Sequence, residues 1–231
     1  VYNISALPYP LDPRWYVGFP SWLLREKNIS DGRLEVQFVG SRDGITWHRY
    51  DRAPYAPLGP LGGEAGNMTF LGPGVVHRGD ELWQYGAAFR TRHGDVNARI
   101  EEPDGFIYRY VQRVDGFVSA DFLTTDPNSP DARCLIQPVK VDGSRLLVNV
   151  DSGALGTLRV ALVDAATGEP IAGYTFDDSK PLRTNSVRAV AGWKGGADLT
   201  PLLGRQIRLA FEGNRTKLFS FYFETPPKVD R

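Results

Sequence analysis

The stretch Leu34-Glu-Val-Gln-Phe-Val-Gly-Ser-Arg-Asp-Gly-Ile-Thr-Trp47 decides the fold class. Apolar side chains recur on every second position of Leu34–Val39, the period of a half-buried strand. Asp43-Gly44 follows and predicts a type I′ hairpin, because both central residues of that turn take positive φ and an Asp-Gly pair fills them readily. The same plan recurs downstream. Gly74-Val-Val-His-Arg78 runs into Gly79-Asp80, and Glu81-Leu-Trp-Gln-Tyr85 returns. Ile107–Val114 is a further strand, rich in Tyr and Val.

From Phe117 onward the strands are short: Leu146–Val150, Leu158–Val163, Val187–Trp193, Ile207–Phe211 and Leu218–Phe223. Gly-containing turns separate them, among them Asp142-Gly143 and Thr167-Gly168. Asp198–Leu203 fits one helical turn, and no segment carries the caps and 3.6-residue period of a long helix. The polar stretch Thr124–Asp131, with two prolines, reads as a surface loop. The expectation is an all-β chain: residues 1–116 as the last blades of a β-propeller and residues 117–231 as a C-terminal β-sandwich. The first part holds two hairpin-centred modules, roughly 14–55 and 62–113, with the spacing of propeller blades. Two blades cannot close a ring, so upstream blades or a second chain are expected to complete it. An uncovered sheet edge is a ready pairing site.

Composition bounds the function classes. The 231 residues are 42% apolar and 23% charged, which is ordinary for a globular protein. Lys plus Arg and Asp plus Glu balance at 27 each, so charge gives no reason to expect nucleic acid or an anionic membrane surface. No apolar run approaches the roughly 20 residues that span a bilayer. No signal peptide is visible, and a start at Val1 suggests that an upstream segment has been removed or left out. Cys134 stands alone and reads as a small buried apolar residue.

Four Asn-x-Ser/Thr sequons occur, at Asn3, Asn28, Asn67 and Asn214. The chain's eight Asn would give about one by chance. The excess favours a secreted, extracellular glycoprotein over polar turn chemistry that happens to match.

Several ordered motifs carry a family resemblance. Ser41-Arg-Asp-Gly-Ile-Thr-Trp47 resembles the Asp-box-like hairpin of sialidases and five-bladed propeller glycosidases, one residue shorter than the sialidase form. Trp15-Tyr-Val-Gly-Phe-Pro20, Gly72-Pro-Gly-Val-Val76, Gly79-Asp-Glu-Leu-Trp83 and Arg113-Val-Asp-Gly-Phe-Val-Ser119 follow in order. Leu147-Val-Asn-Val-Asp151, Trp193-Lys-Gly-Gly-Ala-Asp-Leu199 and Leu202-Leu-Gly-Arg-Gln-Ile-Arg-Leu209 complete the series. Together they are similar to the C-terminal half of glycoside hydrolase families 32 and 43. That resemblance implies a five-bladed propeller, a sandwich as in family 32, and a carbohydrate partner. It also exposes a gap. The family's nucleophilic Asp, supporting Asp and general-acid Glu come mostly from the first three blades, and none of their motifs occurs here. Where relatives often carry Trp-Asp-Ser-Gly, this chain has Gly63-Glu-Ala-Gly-Asn67.

Glycoside hydrolysis usually takes two carboxylates flanking the bond. Glu64 is the best catalytic candidate in this chain, and the competing reading is a solvated loop carboxylate. Arg90 and His93, in a polar loop after a strand, are candidates for hydrogen bonds to sugar hydroxyls. Trp15 and Tyr16 (with Trp22 nearby) suit the apolar faces of sugar rings, although strand aromatics more often pack a core. Asp43 and Asp80 read as turn residues, and Trp47, Trp83 and Trp193 as packing. Neither the three histidines, His48, His77 and His93, nor Asp177-Asp178 forms a convincing metal motif. No cofactor is expected.

Three functions follow: part of a glycoside hydrolase-like enzyme, a non-catalytic carbohydrate-binding or structural glycoprotein, and an extracellular assembly subunit. Treatment of protein from its native host with N-glycosidase is expected to lower its intact mass; an unchanged mass overturns the glycoprotein reading.

Overall fold

The computed structural model describes residues 1–26, 30–95, 104–123 and 131–224. The chain is all-β: among these residues the only helix is a short 3-10 turn, Thr200–Leu202. Two compact units divide it, Val1–Phe117 and Val118–Arg231.

The first unit holds β1 (Asn3–Tyr9), β2 (Asp12–Arg25), β3 (Gly32–Val36), β4 (Val39–Ser41), β5 (Trp47–His48), β6 (Met68–Leu71), β7 (Val76–Arg78), β8 (Glu81–Phe89) and β9 (Gly105–Arg113). They form one nine-stranded sheet of order β5-β4-β2-β3-β6-β8-β7, with β1 on β2 and β9 on β8. The sheet is two antiparallel meanders. In the first, the long β2 takes β1 along one side, and β3 and β4 end to end along the other. In the second, β8 takes β9 along one side, and β6 and β7 end to end along the other. Each pair of short strands is one strand interrupted. Between β3 and β4 the break falls at Gln37-Phe38, where the Gln37 N–H turns to the Pro20 carbonyl at 3.0 Å. Between β6 and β7 it falls at Gly72-Pro73-Gly74, and a proline has no N–H for the ladder.

One parallel pairing, Leu34 with Met68, joins the meanders. Every other strand pairing among the described residues is antiparallel. Backbone bonds reinforce the junction: Leu34 N–H to the Asn67 carbonyl at 2.9 Å, and a reciprocal pair between Gly32 and His93 at 3.2 and 3.0 Å. Beneath the sheet lies a core of Val17, Phe19, Val36, Leu71, Leu82 and neighbours. Phe117 stacks on Phe38 at 4.8 Å within the same cluster.

The two expected hairpin turns differ from each other. Gly79-Asp80 is a two-residue turn between the paired Arg78 and Glu81, and Gly79 has φ 60°. Positive φ at the first central position alone is the type II′ pattern. Asp43-Gly44 is not the expected type I′ turn. Residues 42–46 bridge Ser41 and Trp47, and of the Asp-Gly pair only Gly44, at 72°, has positive φ. The Asp43 carboxylate is the cause: it takes the N–H groups of Ile45 and Thr46 at 2.8 and 2.7 Å, which stabilises a wider loop.

The second unit contains β10 (Ala120–Phe122), β11 (Ala132–Leu135), β12 (Val139–Lys140), β13 (Arg145–Asp151), β14 (Thr157–Asp164), β15 (Asn185–Val190), β16 (Gln206–Asn214) and β17 (Thr216–Glu224). One four-stranded sheet runs β10-β17-β13-β15; the other sets β11, β12 and β14 on β16. Alternate residues of both sheets enter one buried cluster: Leu146, Val148 and Val150 of β13, Leu158, Val160 and Leu162 of β14, and Ile207, Leu209 and Phe211 of β16. Trp193 is buried there too, and its indole N–H donates to the Val160 carbonyl at 2.9 Å. None of the three sheets closes on itself among the described residues.

Leu162 is wholly buried in this cluster. Leu162→Ala is expected to destabilise the second unit by about 2–5 kcal/mol, read from the urea midpoint. An unchanged midpoint would contradict the packing described.

Candidate functional site

The candidate site assembles from three segments of the first unit. Glu64 sits on the loop before β6, Arg90 directly after β8, and Tyr108 on β9. The loop is tightly wound: Gly59 N–H donates to the Ala65 carbonyl at 2.9 Å, and Gly63 N–H to Pro60 at 3.0 Å. A side chain at Gly66 would put its Cβ 2.7 Å from the Pro60 carbonyl oxygen, so the winding needs glycine there. The Tyr108 hydroxyl donates to Glu64 Oε2 at 2.6 Å. The nearest guanidinium nitrogen of Arg90 lies 3.9 Å from Glu64 Oε1, too far for a hydrogen bond but within ion-pair range. The same guanidinium lies 5.1 Å from the Phe106 ring centre. Both charged side chains are open to solvent, 49% for Glu64 and 36% for Arg90. The bond to Glu64 raises the pKa of the Tyr108 hydroxyl, since its proton is held by an anion.

Asp104 fixes the backbone beneath Arg90. Its carboxylate accepts the Thr91 N–H at 2.8 Å and the Thr91 hydroxyl at 2.6 Å. Asn67 ties the same turn to the loop end, its side-chain amide donating to the Arg90 carbonyl at 2.5 Å.

His93 belongs to this end of the unit, yet it acts as a brace. Its backbone pairs with Gly32, and its Nδ1 bonds the Ser30 carbonyl at 2.6 Å, so Nδ1 carries the proton. The ring also meets Tyr2 edge-on at 4.8 Å. Next to it, Arg92 bridges Asp31 at 2.7 Å and Glu26 at 2.9 Å. These contacts bind the 90–95 segment to Glu26 and to residues 30–32.

Trp15 and Tyr16 lie elsewhere. Arg25, at the far end of β2, pairs with Gly32, the partner of His93. Along β2 from Tyr16 to Arg25 is about 30 Å at the ordinary strand rise. Trp15 lies beneath Arg42, 4.3 Å from the guanidinium carbon, and the Tyr16 ring covers Gly44. Trp22 is covered similarly, by Arg49 at 4.2 Å. The structure thus brings Glu64 and Arg90 together, sets His93 nearby as a brace, and keeps Trp15 and Tyr16 apart from them. Tyr108, Phe106 and Asp104 are the site residues that sequence reasoning missed. The signal for the two rings was the every-second-residue aromatic stripe Phe106, Tyr108, Tyr110.

Other assignments resolve in detail. Trp83 is not a core residue: it lies half-buried between Arg78 and Arg109, at 4.9 and 4.3 Å, and its indole donates to Glu81. Trp47 packs over Gly18, where a Cβ would lie 2.9 Å from its ring. Asp178 accepts from Thr175 at 2.8 Å and faces Lys194, which makes it a turn residue. No group of three His, Cys, Asp or Glu able to hold a metal occurs among the described residues. Cys134 is half-buried against the second unit's core. Of the sequons, Asn3 is exposed on β1, Asn67 is engaged as above, Asn214 contacts Asp131 at 3.3 Å, and Asn28 lies outside the described residues.

No protein-family model, curated protein or solved structure matches this chain. No helix among the described residues is long and apolar enough to cross a membrane.

The Asp43 turn yields a pH prediction. Backbone N–H donors of Thr46 and Ile45, then the Ser41 hydroxyl, hold the Asp43 pKa at about 2, below its ordinary 3.8. A depressed folded pKa contributes stability that is full above the unfolded value and is lost as pH falls through about 2. Wild type is therefore expected to melt above Asp43→Ala at neutral pH, with the gap narrowing between pH 4 and pH 2. A gap independent of pH would remove the charged turn as its cause.

Proposed function

We propose that this chain is the C-terminal part of a secreted, glycoside hydrolase-like glycoprotein that acts on or binds carbohydrate, and that the Glu64–Arg90–Tyr108 cluster is its contribution to sugar contact. In this reading the two meanders are propeller blades and the second unit is a β-sandwich. Blade-sized antiparallel meanders with an Asp-centred turn support the first assignment. Two sheets sharing one apolar cluster support the second. The sequon excess supports secretion. Further blades, or a second chain, complete the ring.

The observation that carries the reading is the convergence of a carboxylate, a guanidinium and a phenol from three segments on an open surface beside Phe106. Sugars present hydroxyls that both donate and accept, and C–H faces that pack on rings. The same cluster favours a binding role for Glu64 over a catalytic one. Its Oε2 already serves Tyr108, and the hydrolytic mechanism needs a second carboxylate placed across the bond. A non-catalytic carbohydrate-binding or structural role for this chain is the alternative that this favours.

Two measurements separate these readings. On a glycan array, Arg90→Ala is expected to weaken any bound sugar about tenfold or more, the usual loss for a charged hydrogen bond. In a hydrolytically active full-length product, Glu64→Gln is expected to leave kcat within about tenfold. A loss of several orders of magnitude would make Glu64 the catalytic acid.

A further inference from the structure

The edge of β9 away from β8 has a chemistry that can be read residue by residue. Just before β9 the Arg90 N–H donates to the Asp104 carbonyl at 3.3 Å, and just after it the Val114 N–H donates to the Asp80 carbonyl at 2.9 Å. Both bonds turn an even-numbered residue toward β8. The direction alternates along an antiparallel strand, so the N–H and C=O groups of Ile107, Arg109 and Val111 face away from β8. Among the described residues no strand or hydrogen bond takes them up. Their side chains share a face with their β8 partners Ala87, Tyr85 and Trp83. Ile107 is 80% exposed and Val111 47%, so two open apolar side chains flank Arg109 along this edge.

Charge decides what can pair there. Arg109 and Arg78 both lie against the Trp83 ring, at 4.3 and 4.9 Å. Glu81, the acid beside them, already accepts the Trp83 indole N–H at 2.8 Å. A second copy of β9 fits poorly. A two-fold axis at Arg109 sets Ile107 against Val111 but also Arg109 against Arg109, and like charges directly opposite are destabilising. The adjoining two-fold registers set Arg109 against Ile107 or Val111, a charge on an apolar side chain. An extended segment with an acid between two apolar residues, at alternate positions, suits all three places. Its main chain bonds the outward groups, its apolar side chains meet Ile107 and Val111, and its acid meets Arg109.

We propose that the open edge of β9 takes up an extended segment of a partner protein with the pattern apolar-x-acidic-x-apolar, paired antiparallel as an added strand. Such pairing is independent of what the Glu64 cluster binds.

The test titrates the whole chain with two capped peptides, Thr-Val-Thr-Glu-Thr-Val-Thr and the same sequence with Lys in place of Glu. Binding is followed by fluorescence anisotropy, and folding of each variant by its melting temperature. Wild type is expected to bind the Glu peptide at least about threefold more tightly than the Lys peptide, the scale of a cross-strand charge pair. Arg109→Glu is expected to reverse that order. Val111→Pro removes an outward N–H and no bond to β8, so the folded variant is expected to lose the Glu peptide. If Val111→Pro does not fold, the reversal in Arg109→Glu decides alone. No binding of either peptide to folded wild type overturns the proposal. So does the absence of a Glu preference in wild type, an order unchanged in Arg109→Glu, or binding retained in folded Val111→Pro. A wild-type dimer in sedimentation that Val111→Pro converts to monomer would put a second copy on the edge, and overturns it as well.

Discussion

The first unit depends on how the inner edge of β3 is satisfied. A strand in mid-sheet must give both rows of backbone N–H and C=O groups to partners. β2 takes one row. The other is met by Met68 in parallel pairing, by the Asn67 carbonyl, by the reciprocal bonds between Gly32 and His93, and by the Tyr55 and Ala56 N–H groups, which donate to the Val36 carbonyl. Those to Leu34 and Gly32 come from two separate segments, one at the start of β6 and one after β8. Pairing β3 therefore fixes the loop that carries Glu64 and the loop that carries Arg90 in a single operation. The site is a by-product of an edge being covered. Gly94 shows how close the approach is: at φ 78°, a Cβ there would come within 2.3 Å of the Ser30 carbonyl oxygen. Only glycine allows the 90–95 segment to lie against residues 30–32.

The all-β character was legible because each strand carries its own period. Leu34, Val36 and Phe38 alternate regardless of what lies beside them, and the second unit's strands do likewise. The parallel junction was not legible, since nothing local in Leu34 or Met68 announces a partner 34 positions away. The turn at Asp43 failed for a different reason. Asp-Gly is a good type I′ signal when Asp offers only its backbone, but here the Asp side chain competes for the next two N–H groups. Gly79-Asp80 has no upstream carboxylate in that role, and its glycine comes first, so the tight turn survives.

The candidate site was half visible for a related reason. Glu64 and Arg90 stand out as charged residues in polar loops, which sequence can show. Tyr108 and Phe106 do not stand out, because an aromatic stripe on a strand reads as core. On β9 the stripe is only half-buried, because β9 pairs with β8 on one side and has no described strand on the other. Trp83, expected to pack, does so at the surface rather than in a core. An arginine on each side shields its ring at the surface, so a large aromatic on a strand need not point into a core.

If the cluster binds sugar as proposed, the separation along β2 limits which rings can take part. An aromatic platform and a polar clamp recognise one ring only when they lie within a sugar's reach of each other. Trp15 and Tyr16 lie about 30 Å along β2 from the junction that holds Arg90 and His93. Arg42 occupies the Trp15 face that would have to stack. The platform for the clamp must therefore be local, and Phe106 and Tyr108 are the rings in place. Each already carries a partner, Arg90 and Glu64 respectively. On the proposed reading, polar contacts would govern the cluster and ring stacking would be secondary. On that reading, a ligand offering only an apolar face would have to displace the Arg90 guanidinium to reach the Phe106 ring.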